Sequence, residues 1–339
     1  MDLLTLGLAA IIAGGVLNGG FTFPMKAVKG WQWENMWLGF GFFGLLLLPT
    51  LIAIIAIPEL GSVYSSAPPG VLAAAAGLGL CWGIGSLLFG LSVSALGLSL
   101  GYSIIMATTT IFGTLTPAIF LDASIFGSVR ETVLLASIAL ILGALIFCAI
   151  AGRRREAMKD AGAAYQTLTR TGFGRGLLIA VLAGVLSACF NIGFAVTTSI
   201  SAAAERFGAP KTMSTFSVWA LIMGAGFIPS LVYCVYLIRR NKSLSRFKTD
   251  RKNVWYVLLM GVLWILGVAL YGAGATFLGD RGATVGWPIL MSVTILTANA
   301  IGLLSGEWKG VGDDIMRRLY AGLALLLGAV VLAGIAGVQ

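Results

Sequence analysis

The sequence predicts an all-α membrane protein: ten transmembrane helices as a 5+5 inverted repeat, with both termini outside. Three observations lead there. Hydrophobic residues make up 58% of the 339 positions and Asp, Glu, Lys and Arg only 10%, where a soluble domain carries about 25% charged residues. Apolar stretches of bilayer length recur from one terminus to the other. The basic residues fall almost entirely in alternate loops. This composition excludes a soluble enzyme, a nucleic-acid binder and a disordered chain, and the net charge of +9 belongs to those loops. The 46 glycines suit close-packed membrane helices, which use small residues to bring backbones together.

A spanning helix needs about 20 mostly apolar residues. The chain offers ten such stretches, at 3–25, 35–57, 70–96, 98–120, 131–151, 176–202, 213–238, 253–279, 284–305 and 319–337. The third and fourth are divided only by a turn at Gly97. Strand-like alternation is absent, and open backbone in hydrocarbon leaves helices as the spanning form. Met1-Asp2 lacks the basic region of a signal peptide, so the first stretch is expected to be retained.

Ten spans place the loops on two sides. One side carries Lys26 and Lys29, the 153–175 cluster from Arg153 to Arg175, the run from Arg239 to Lys252, and Lys309, Arg317 and Arg318. Eighteen of the 22 basic residues lie there. The other side has Arg130, Arg206, Lys211 and Arg281. The excess marks the cytoplasmic side, and both termini then face outward. The basic runs read as topology signals and headgroup contacts.

The 153–175 connector divides the chain into residues 1–152 and 176–339, each with five spans. Five is odd, so the second half is inverted relative to the first. Three correspondences support a repeat. Trp82, Gly85 and Phe89 match Trp264, Gly267 and Tyr271 at an offset of 182. Gly101-Tyr102, Met106 and Thr109 match Gly286-Trp287, Met291 and Thr294 at 185. Asn18-x-Gly20-Phe21 matches Asn191-x-Gly193-Phe194 at 173. Inverted halves supply two similar conformations around a site near the midplane, the arrangement of a carrier rather than of a pore, receptor or enzyme.

Residues 21–37, Phe21-Thr22-Phe23-Pro24-Met25-Lys26-Ala27-Val28-Lys29-Gly30-Trp31-Gln32-Trp33-Glu34-Asn35-Met36-Trp37, resemble the bacterial L-rhamnose–proton symporter family of the drug/metabolite transporter superfamily. Tyr64-Ser65-Ser66, Trp82-Gly83-Ile84-Gly85, Leu96-Gly97 with Ser99 and Gly101, and Gly113-Thr114-Leu115 with Pro117 continue the likeness, which is dense over the first 120 residues and thinner beyond. The resemblance implies proton-driven uptake of a deoxy-sugar such as L-rhamnose across a bacterial inner membrane. The superfamily's small-multidrug branch uses a glutamate deep in its first span. Here that span has no acid, which argues against a cationic-drug exporter.

A sugar presents hydroxyls and apolar C–H faces, so its carrier needs neutral hydrogen-bonding groups and an aromatic platform. Asn18 and Asn191 lie at mid-depth and offer both donors and an acceptor; plain helix–helix bonding is the competing reading. Asn299 is a weaker candidate of the same kind. Trp82 and Trp264 also lie at mid-depth, away from the interfacial belts that claim Trp31, Trp33, Trp37, Trp255 and Trp308. Tyr102 and Trp287 begin the fourth and ninth spans at opposite faces and are placed to close the two mouths. Met106, Met291, Thr109 and Thr294 read as lining or packing.

Proton coupling normally uses a titratable side chain, and an acid at mid-membrane is costly enough to stand out. None does. Glu34 and Glu307 lie at cytoplasmic span ends, Asp122 and Asp280 at outer ones. Glu34 is the coupling candidate, with an interfacial ion pair to Lys26 or Lys29 as its alternative role. The absence of histidine excludes His catalysis and ligation. Cys81, Cys148, Cys189 and Cys234 stand in apolar stretches without a C-x-x-C pair. No cofactor or metal is called for. The expected partners are a sugar, protons and lipid, with the chain a monomer or homodimer. An uncoupled or differently coupled carrier of another neutral metabolite is the first alternative, and a membrane sensor with a transporter-like fold the second.

Overall fold

The computed structural model describes residues 2–96, 98–121, 127–159 and 170–338. The turn at Gly97, Asp122 and the middle of the 153–175 connector lie outside them. Among the described residues the chain is helical throughout: α1 (Leu3–Gly20), α2 (Trp33–Gly41), α3 (Leu48–Ala56), α4 (Leu60–Ser66), α5 (Pro69–Leu96), α6 (Leu98–Leu121), α7 (Val129–Lys159), α8 (Arg170–Val196), α9 (Thr198–Arg206), α10 (Phe216–Asn241), α11 (Lys252–Leu278), α12 (Gly282–Leu304) and α13 (Asp313–Val338).

Nine stretches of these helices are long and apolar enough to cross a membrane. The eighth runs from Lys252 to Leu304 and contains α11 and α12 on either side of the short turn Gly279–Arg281. Gly279 takes φ +63° there, a conformation glycine adopts at little cost. Large apolar side chains such as Ile55, Phe120 and Leu304 are exposed on the outside of the bundle, as lipid-facing positions are.

Three boundaries differ from the sequence expectation. The first span stops at Gly20, and Phe23–Ala27 forms a separate 3₁₀ turn. The second is interrupted by a π-helical segment, Phe42–Leu47, just before Pro49, which cannot donate a backbone bond to the preceding turn. The sixth breaks at Thr197, giving α8 and the short α9. The basic connector is helical at both ends, since α7 runs to Lys159 and α8 begins at Arg170.

The most extensive helix–helix contacts join residues before the connector to residues after it. α1 packs on α11 and α12, α8 on α5 and α6, α7 on α13, and α5 on α10. Glycine permits several of these approaches. A Cβ on Gly14 would lie 2.7 Å from the Gly267 carbonyl oxygen, and one on Gly44 2.9 Å from the Gly261 Cα. The loops gather at two ends. At the basic end the loop after α1 meets those before α11 and α13, through Arg246 to the Gly30 carbonyl and Lys26 to Glu307. At the far end Tyr64 donates to the Ser217 carbonyl at 2.9 Å.

Candidate functional site

Trp82 on α5 and Trp264 on α11 stack at the centre of the bundle, ring centroids 6.1 Å apart and planes within 13°. These are the two residues paired by the 182-residue offset. From the basic end, Trp37, Phe40 and Phe21 lead up to Trp264 through successive ring contacts. On the other side Phe190 touches Trp82 at 4.9 Å and Trp219 at 4.9 Å. Phe194, Tyr271 and Trp287 continue from Trp219 toward the far end. The result is an aromatic column through the protein interior. The indole N–H groups of Trp264 and Trp219 are buried in it without a partner.

The two matched asparagines differ. Asn191 is wholly buried; its amide donates to the Gly113 carbonyl at 2.7 Å and the Ala283 carbonyl at 3.1 Å, and its oxygen accepts from the Tyr271 hydroxyl. It ties α8 to α6, α11 and α12. Asn18 is also buried, but its oxygen has no partner and lies against Gly267. Trp287 packs on Gly113 and donates to the Thr109 carbonyl at 3.3 Å; it belongs to the column. Tyr102 stands apart from the column, half-buried against Phe89 and the cluster that holds Ile141, Leu145 and Leu326. Asn299 donates to the carbonyl of Ile295 on its own helix.

Glu34 is 3% exposed. Its Oε1 accepts from Asn241 at 3.0 Å and Ser243 at 2.8 Å, and no cation lies within ion-pair distance of it among the described residues. The ion pair with Lys26 or Lys29, weighed as its alternative role, is therefore not made. Lys26 reaches Glu307 at 2.5 Å instead, and Lys29 exchanges backbone bonds with the Asn253 side chain. Glu307 also meets Arg155 at 3.3 Å, whose guanidinium lies over Trp308. The bond from Lys26 holds the Glu307 carboxyl below its usual value; desolvation opposes this, and the charges of Lys26 and Arg155 reinforce it. Arg154 pairs with Asp314 alongside. These contacts knit the two halves together at the basic end.

The far end holds a cleft of about 360 Å³, between the ends of α6, α8, α11 and α12, α9 and the start of α10. Phe194, Ser201, Glu205, Thr215 and Asp280 line it. Ala283, which accepts a bond from Asn191, is also in its wall, so one residue of the cleft is bonded to Asn191.

Residues 1–338 match the family of the L-rhamnose-proton symport protein (RhaT). The chain belongs to that family. Relatives along nearly the whole length include the L-rhamnose-proton symporters of Pectobacterium atrosepticum, 29% identical, and of Mannheimia succiniciproducens and Escherichia coli, each 28% identical. Each alignment covers 98% of this chain and 98% of the relative. The family is one of transporters rather than enzymes, and this member is a multi-pass protein of a bacterial inner membrane.

The resemblance in residues 21–37 thus identified the symporter family correctly, and the segment acquires a physical role. It carries Phe21 and Phe40's neighbour Trp37 into the column and places Lys26 and Glu34 among residues of the second half. Sequence reasoning missed Phe190, Trp219, Thr215 and Glu205. Trp219 carried a usable signal, a tryptophan inside an apolar stretch. Phe190 stands next to the singled-out Asn191.

Proposed function

We propose that this chain imports a neutral deoxy-sugar of the L-rhamnose class with protons, by alternating access between two inverted five-helix halves. The single observation that carries the reading is the stacked Trp82–Trp264 pair. Residues equivalent in two inverted halves touch only near the axis that relates them, which is where such carriers bind substrate. The packing supports the same symmetry. Exchanging the halves converts α1 against α11 and α12 into α8 against α5 and α6, and both pairings are present. Thr109 donates to the Gly184 carbonyl on α8, and its counterpart Thr294 to the Gly15 carbonyl on α1.

Ten crossings are part of this reading, on the ground of helix length. A 53-residue stretch would extend roughly 80 Å as one helix, against about 30 Å of hydrocarbon. We read α11 and α12 as separate crossings, the basic end as cytoplasmic and both termini as external. The cleft then opens outward while the cytoplasmic end is tied shut. Sugar would stack against Trp82 and Trp264 and use the free groups of Trp264 and Asn18, with Asn191, Tyr102, Trp287 and Asn299 positioning the surrounding helices. Glu34, a buried carboxyl whose hydrogen-bond donors come from the opposite half, would carry the proton. Protonating it removes a charge at the contact that must part for inward opening.

The test is L-rhamnose transport in proteoliposomes. Wild type is expected to accumulate sugar under an inward proton gradient and to exchange it in counterflow. Glu34→Gln is expected to keep counterflow and lose accumulation. Accumulation that survives a protonophore, or that persists in Glu34→Gln, overturns the coupling assignment.

A further inference from the structure

We infer that the outer cleft is a sugar subsite of its own, filled before the sugar reaches the tryptophan pair. In it Ser201, Thr215 and Glu205 would meet the hydroxyls of a neutral monosaccharide, and Phe194 its C–H face. The inference rests on the transport reading above and adds a second place along the same route.

The argument begins with hydroxyl accounting. Serines and threonines in membrane helices commonly return their hydroxyl to the carbonyl four residues back. Thr108, Thr110, Thr197 and Thr276 do so here, to Ile104, Met106, Gly193 and Gly272. Ser201 and Thr215 do not. They are 7% and 1% exposed, and their hydroxyl oxygens have no partner. Both line the cleft. Buried polar atoms left unpaired at the wall of a cavity are unfavourable unless something arrives to pair them.

A third unpaired group stands next to them. The Trp219 N–H also lacks a partner. A Cβ on Gly272 would lie 2.6 Å from the Thr215 hydroxyl and 2.8 Å from that indole nitrogen, so both groups lie against the same glycine of α11. Phe194 stacks on Trp219 at 4.6 Å and also lines the cleft, so an aromatic ring adjoins the free donors. Aromatic surface beside hydroxyl partners is the combination a sugar requires.

The acidic lining selects among ligands. Glu205 and Asp280 line the cleft, and no Lys or Arg does so among the described residues, which disfavours an anion. Glu205 has one oxygen held by Ser214 at 3.0 Å and so retains acceptor capacity for a sugar hydroxyl. The volume, about 360 Å³, lies at the small end of ligand pockets and fits a monosaccharide.

The experiment uses the full chain in oriented membrane vesicles, with radiolabelled L-rhamnose presented from one face at a time. Thr215→Val and Ser201→Ala are expected to raise outer-face half-saturation about fivefold, the loss of one hydrogen bond. Half-saturation from the cytoplasmic face is expected to stay within about twofold of wild type. Thr215→Ser, which restores the hydroxyl, should recover most of the outer-face loss. Equal shifts at both faces, or none at either, overturn the subsite while leaving wild-type transport as it was. Wild-type vesicles that move no sugar overturn the transport reading and the subsite together.

Discussion

Asn18 and Asn191 hold the same place in two matched motifs, one in each half, and their surroundings are opposite. Asn191 binds two backbone carbonyls and a tyrosine hydroxyl, drawing four helices together. Asn18 has an oxygen with no partner, pressed against Gly267. The same contrast holds at the ends of the molecule. The basic end is crossed by the bonds of Glu34 and Glu307 between the halves, while the far end holds a cleft. Similar sequences in dissimilar environments are what one of two alternating states requires. In the exchange proposed above, the other state would give Asn18 the partners and Asn191 the vacancy.

The largest effect expected from this contrast is on stability. Asn191→Leu strands the Tyr271 hydroxyl and two buried carbonyls, and should lower stability in detergent by about 2–4 kcal/mol. Asn18→Leu removes an atom that is already unpaired and should stay within about 1 kcal/mol of wild type. Matching thermal unfolding shifts in the two variants would erase the difference.

Next is the central pair. Trp82→Ala and Trp264→Ala each remove one ring of a stack, so the double variant should lose less sugar affinity than the two singles combined. The coupling expected is about 0.5–1.5 kcal/mol, roughly two- to tenfold in affinity. Strict additivity would mean that the rings act separately and do not form one platform.

The smallest effect concerns the basic end and depends on pH. The folded protein depresses the Glu307 carboxyl, so this group contributes stability above its unfolded value, about 4.3. The contribution disappears as pH falls through the lower folded value. With the side chain 37% exposed, the difference between wild type and Glu307→Gln should be about 0.2–1 kcal/mol near neutrality and should close in acid. A gap that widens toward low pH would show that Lys26 and Arg155 do not hold this carboxylate.

Much of the central arrangement was legible because its signals repeat. The 182-residue offset paired Trp82 with Trp264 before any coordinate, and the 173-residue offset singled out the two asparagines. Glu34 stood out as an acid at the edge of an apolar span. Its partners did not, because Asn241 and Ser243 lie some two hundred residues away and two nearby lysines offered a simpler pairing. Ser201, Thr215 and Glu205 were hidden for a different reason. Ser201 and Thr215 sit at the facing ends of the sixth and seventh apolar stretches and Glu205 in the short connection between them, and they share one wall only because α9 folds over the bundle end. Tyr102 shares a motif position with Trp287 but packs into a separate cluster with residues of α7 and α13.

By itself the sequence determined the membrane setting, the helical form and the family, because span length, charge bias and motif spacing are local properties that survive without contacts. Only the tertiary structure decided which of two equivalent asparagines is satisfied, which lysine meets which acid, and where a cleft lies among the helix ends. Those choices depend on how helices from opposite halves turn toward each other. Chain order records their likeness, and three-dimensional packing sets their difference.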